Sequence, residues 1–155
     1  MQEYEIFKAM ENFKQIKSIE DAIRIKTPSI GLIKKEYGEE NAKKYIISWI
    51  IFLDEFLDLK DKGTEFRMMQ TASFILKDYY NLTIADLIVI FGRALKGKYG
   101  KFYDRLSGAT IISWFEDYFE ERCNTCEMIS IQEHHKYKTP RIDEKLLINL
   151  KNIKP

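Results

Sequence analysis

The sequence predicts an all-α protein: a compact single-domain bundle of about five to seven helices, with a helical N-terminal arm and a short C-terminal tail. Apolar residues recur at spacings of three and four along most of the chain, β-alternation is nearly absent, and helix start and stop signals punctuate the pattern. Its 155 residues, 45% hydrophobic and 14% aromatic, suffice to bury one core. The expected division is an arm over 1–17, a core domain over 18–138 and a tail over 139–155.

The arm's helix, about residues 2 to 16, carries Ile6, Met10, Phe13 and Ile16 along one stripe. Ser18 and Asp21 stand at capping-box spacing before a short helix over 19–25. Pro28 and Gly38 bracket a two-turn helix, which Gly31 weakens. From Glu39 to about Leu59, Ala42, Tyr45, Ile46, Trp49, Ile50, Leu53, Phe56 and Leu57 form one stripe. Ile47, Ile51 and Phe52 widen it, which predicts a central core helix with contacts on more than one side.

Thr64 caps the next helix, to about Tyr80, with Phe66, Met69, Ala72, Phe74, Ile75, Leu76 and Tyr79 inward. Thr83 and Asp86 repeat the capping-box spacing ahead of a helix whose Leu87, Ile90, Phe91, Ala94 and Leu95 face the core, and Gly97 or Gly100 stops it. After Gly108, Ile111, Ile112, Phe115, Tyr118 and Phe119 define a long final helix, with Trp114 and Cys123 extending its stripe and an interruption expected near Ser130. Thr139 and Pro140 break it. Trp49 and Trp114 are expected in the core.

Twenty-five Lys plus Arg against 24 Asp plus Glu leave a net charge of +1, which is unlike a generic non-specific nucleic-acid binder. Any such activity is therefore local. The apolar run "YIISWIIFL" is flanked by Lys43, Lys44, Asp54 and Glu55 and is far shorter than the roughly 20 residues of a membrane span. No apolar signal region is evident near Met1, and two cysteines suit a reducing compartment, so a cytoplasmic location away from membranes is expected.

The stretch "GRALKGKYGKFYDRLSG" concentrates charge. Arg93, Lys96, Lys98, Lys101 and Arg105 surround a single Asp104, interleaved with Tyr99, Phe102 and Tyr103 and with four glycines. Cations meet phosphate, flat rings stack on bases, and glycines let backbone amides approach. These features make Arg93, Lys96, Lys98, Tyr99, Lys101, Phe102 and Arg105 candidate nucleic-acid contacts, with single strands favoured if the rings stack. The same composition also suits a solvated helical corner with inward-facing aromatics, or recognition of an acidic protein surface.

Cys123, Cys126 and His134 are weak candidates for zinc, because a CxxC inside a helix and its spacing to His134 and His135 do not match a zinc-knuckle pattern. No metal and no cofactor are expected. Asp54, Glu55 and Asp58, and Glu116, Asp117, Glu120 and Glu121, are the carboxylates available for catalysis, a set better explained as the solvated sides of helices. Phosphate-loop, GxSxG, HExxH and dinucleotide-binding motifs are missing, which argues against an ATPase or serine hydrolase and for a non-enzymatic protein.

The run from Met68 to Cys123 resembles a family of small uncharacterised helical proteins of Bacteroidota, their phages and mobile elements. Its pattern falls on Gln70, Asp78, Tyr79 and Tyr80, on Leu82 and Asp86, on residues 97–100, on Tyr103 to Arg105, and on Trp114, Tyr118, Glu121 and Arg122. With the "YIISWIIFLDEFLDL" helix it covers residues 36 to about 126. The pattern departs at Ser107-Gly108, where an acidic turn is usual, and does not include the CxxC. The family implies no activity, but the helical pattern is also similar to small phage helicase loaders and replication-accessory proteins. The expected function is a non-enzymatic adaptor in DNA transactions that touches nucleic acid through the basic loop; a protein-interaction or virion-associated module is the alternative.

Overall fold

Seven α-helices follow one another among the described residues of the computed structural model, which are 6–12, 14–60, 63–100 and 106–138. They are α1 (Ile6–Asn12), α2 (Ile19–Arg24), α3 (Ile30–Tyr37), α4 (Glu39–Phe56), α5 (Glu65–Asp78), α6 (Ile84–Leu95) and α7 (Gly108–Lys138). No strand occurs among these residues, and none of these helices is long and apolar enough to cross a membrane.

Local chemistry sets the helix starts. Ser18 Oγ accepts from the Asp21 amide at 3.2 Å while the Asp21 carboxylate accepts from the amides of Ser18 and Lys17, a complete capping box. Thr83 and Asp86 close the second box, and Ser29 and Thr64 cap α3 and α5 through their hydroxyls. Gly38, at φ 88, ends α3 and begins α4, a backbone conformation that L side chains rarely adopt.

The starts of α3 and α6 are stitched together. The amides of Ile30 and Gly31 donate to the carbonyls of Leu82 and Tyr80 at 2.8 and 2.7 Å, and the Ile84 amide donates to the Pro28 carbonyl at 3.1 Å. A side chain at Gly31 would press on the Tyr80 carbonyl, so glycine permits this approach rather than merely weakening α3. Thr27 Oγ1 accepts from the Ala85 amide, so the first turn of α6 is held by a segment almost sixty residues earlier.

This anchorage puts α6 at the centre of the protein. Every residue from Ile84 to Phe91 is buried. A helix apolar on all sides belongs inside; α6, rather than α4, is thus the most enclosed helix. Trp49 of α4 stacks on Phe91 with ring centroids 5.2 Å apart, Phe91 meets Phe115 of α7, and Phe115 meets Tyr79 beyond α5. Both tryptophans are core residues, at 0% and 2% exposure. Ile6, Ala9 and Ile16 are buried in the same core, so the arm contributes to it directly.

Two differences from the expected pattern have physical reasons. Phe56, Phe66 and Phe74 are exposed at 61%, 72% and 49%, and Ile51 at 42%. In α4 and α5 apolar residues occupy more positions than one packed face can take, so periodicity alone does not say which of them are left outside. The final helix runs through Ser130 without a break, because serine is a tolerated helix residue when nothing competes for its backbone. The tail from residue 139 lies outside the described residues.

Candidate functional site

The basic stretch opens at the C-terminal end of α6. Lys96 caps the helix, Gly97 at φ 69 turns the chain, and the amides of Gly97 and Lys98 donate back to the carbonyls of Ala94 and Arg93. Cations at this end also face the negative pole of the helix.

A cleft of about 270 Å³ lies beside this turn. Its apolar part comes from Met10, Ile16, Ile88, Val89 and Leu95, and its polar part from Lys14, Lys17, Arg93, Lys96 and Lys98. No carboxylate is among the described residues lining it. Lys14 and Lys17 arrive from the turn between α1 and α2. Burial of Ile6, Ala9 and Ile16 fixes that turn, and the Lys17 amide is held at 3.0 Å by the Asp21 carboxylate. Lys14, Lys17, Lys96 and Lys98 are exposed.

The predicted contacts thus separate into three groups. Lys96 and Lys98 reach solvent within the cleft. Arg93 lines it but is tied elsewhere: its Nη2 donates to Glu121 Oε2 at 2.9 Å and its guanidinium lies 5.5 Å from the Tyr118 ring centroid. Burial alone would lower the Arg93 pKa, and the Glu121 carboxylate outweighs it and raises the value. Tyr99 stacks on Trp114, with centroids 4.8 Å apart and planes at 9°, so one of its faces is occupied by the core. Burial pushes the Tyr99 hydroxyl up, against the opposing pull of Arg93. Lys101, Phe102 and Arg105 lie outside the described residues.

Next to the cleft is a buried charge network. Asp86 is wholly buried; its Oδ2 accepts from the Thr83 amide and hydroxyl at 2.7 and 2.9 Å, and its Oδ1 accepts from Tyr118 Oη at 2.7 Å and Arg122 Nε at 2.9 Å. Burial and the adjoining carboxylate push the Tyr118 phenol far above its usual range. For Arg122, burial would lower the pKa, but Asp86 raises it. Asp86 of α6 thus meets Tyr118 and Arg122 of α7, while Glu121 pairs with Arg93. Capping-box spacing finds Asp86 as a helix cap but assigns only one of its two oxygens. The contribution of Lys14 and Lys17 has no sequence signal beyond their charge, because they join the cleft through tertiary packing.

The remaining candidates stand apart. Cys123 is exposed, and Cys126 is half-buried with its Sγ 4.0 Å from Arg122 Nη1. His134 is exposed farther along α7, and among the described residues no three or more His, Cys, Asp or Glu converge as a metal site. Asp54 is buried, accepting from the Gly63 amide at 3.2 Å, whereas Glu55, Asp58, Glu116, Asp117, Glu120 and Glu121 are exposed. No known family model, curated protein or solved structure matches the chain.

Proposed function

We propose that this chain is a non-enzymatic adaptor of phage or mobile-element DNA transactions that engages the phosphate backbone of nucleic acid at the cleft beside α6. The observation that carries this reading is four exposed lysines, with Arg93 met by Glu121, around one cleft with no carboxylate among its described lining residues. Phosphates are attracted to such a field, and the four exposed lysines have the reach to follow a backbone. Arg93, held by Glu121, acts as a positioning residue that keeps the end of α6 against α7.

Fluorescence-anisotropy binding to single-stranded and duplex DNA at two salt concentrations tests the proposal. The variants Lys96→Ala/Lys98→Ala and Lys14→Ala/Lys17→Ala should each weaken binding and reduce the salt slope by about one unit per phosphate contact removed. Binding that ignores salt, or that survives both pairs, refutes the phosphate reading. The apolar part of the cleft favours a second reading, an acidic amphipathic segment of a protein partner. In that case an acidic helical peptide binds through the same lysines and DNA does not.

A further inference from the structure

A second groove, of about 600 Å³, runs along one flank of α4 and ends over the first turn of α5. Its character is opposite to that of the cleft. Ile47, Ile51, Met68 and Met69 make its apolar bed, with Ile51 left 42% exposed. Glu40, paired with Lys43 at 3.5 Å, stands at one end, Glu55, Glu65 and the buried Asp54 stand at the other, and Lys44 is the one cation among its described lining residues.

Length, bed and charge together define an occupant. From Glu40 to Glu55 the flank of α4 is about 22 Å long, the length of a helix of about fifteen residues. Paired methionines give a polarizable, adaptable surface suited to helix side chains, and an apolar bed with a charged rim is how a helix-in-groove interface is read. Carboxylates on the rim exclude an acidic partner by like-charge repulsion and select a basic one.

We propose that this groove docks an amphipathic helix of a partner protein whose flanks carry Lys or Arg. This does not depend on the phosphate cleft, which involves other helices and the opposite charge. If both hold, the protein joins a polyanion on one surface to a basic helix on another.

The test uses a fifteen-residue helical peptide with Leu at the i, i+3, i+4 and i+7 positions and Lys elsewhere, and its counterpart with Glu for every Lys. Each is titrated into the full chain, into Glu55→Lys/Glu65→Lys, and into Ile51→Asp. All of these substitutions are at exposed positions, and circular dichroism verifies that the helices are retained. The Lys peptide should bind the native chain saturably and lose about tenfold in affinity in either variant. Lack of binding by the Lys peptide, or affinity untouched by either variant, overturns the proposal. A concentration-dependent dimer that Ile51→Asp abolishes also overturns it, by assigning the groove to a second copy of the chain.

Discussion

Tyr118 donates its phenolic proton to Oδ1 of Asp86, the same oxygen that accepts from Arg122. A carboxylate with no solvent access is therefore surrounded by four donors, two from its own capping turn and two from α7. Burying a charge is costly, and the cost is offset only when its lone pairs are satisfied. Removing the carboxylate leaves the Arg122 charge without its counter-ion. Asp86→Ala should cost about 3 to 5 kcal/mol in urea unfolding. Asp86→Asn should cost nearly as much, because its amide group must point N–H at another donor. Tyr118→Phe removes one donor and should cost about 1 to 3 kcal/mol. Near-native stability in Asp86→Asn would show that the network contributes little.

Much of the fold was legible because its signals are local. Ser18 with Asp21 and Thr83 with Asp86 are capping boxes within four residues, and Gly38 stops one helix where the next begins. What was not legible depends on distant parts of the chain. Phe66 and Phe74 read as core by spacing and emerge as surface, since only the packing of α5 against α4 and α7 decides which stripe is covered. The candidate site was half-legible for the same reason. Lys96 and Lys98 announce themselves in a basic run, whereas Lys14 and Lys17 are ordinary lysines until the arm folds back beside α6.

Trp49 separates volume from hydrogen bonding. Its ring is completely buried against Phe91, yet its indole N–H has no hydrogen-bond partner among the described residues. Trp49→Ala leaves a large cavity and should cost about 3 to 5 kcal/mol. Trp49→Phe keeps much of the packing and removes the unsatisfied donor, so it should cost less than half as much. Denaturant unfolding of both variants gives the comparison, and equal losses would mean that a phenyl ring does not replace the packing of the indole.

Gly108 begins α7 against Thr71 of α5, and a methyl group there would collide with the Thr71 hydroxyl, which already donates to the Arg67 carbonyl at 2.8 Å. Gly108→Ala should destabilise by about 1 to 3 kcal/mol through overpacking. In a Thr71→Ala background the collision is gone and alanine's better helix propensity remains, so the same substitution should become neutral or stabilising. A thermal-unfolding cycle over the four proteins reads this change of sign. Additive losses would place the penalty elsewhere.

Tyr99 tests whether the cleft reads bases. With one ring face on Trp114, its removal should act on stability: Tyr99→Ala should cost about 2 kcal/mol and shift Trp114 fluorescence as the ring becomes hydrated. If the exposed lysines make the contacts, as proposed, the relative affinity for single-stranded and duplex DNA should not change. A selective loss of single-strand binding would make Tyr99 a stacking platform instead.

Glu39 gives the acid limb of stability a local probe. Its carboxylate is 2.8 Å from Lys34 and 2.9 Å from Lys43, and these partners, Lys34 first, hold its pKa at about 2 against an ordinary 4.5. A depressed carboxyl pKa stabilises the fold when the group is ionised. The contribution is therefore complete above the ordinary value and is lost as pH falls from 4.5 through about 2. Both side chains of the Lys34 pair are about half exposed, so salt should screen the effect. In Lys34→Met the Glu39 carboxyl should titrate closer to 4.5, with Lys43 retaining part of the shift, as followed by its ¹³C chemical shift. The stability gap between native chain and variant should then close on acidification and shrink in high salt. A gap that persists below pH 2 would mean that Lys34 acts through its packing rather than its charge.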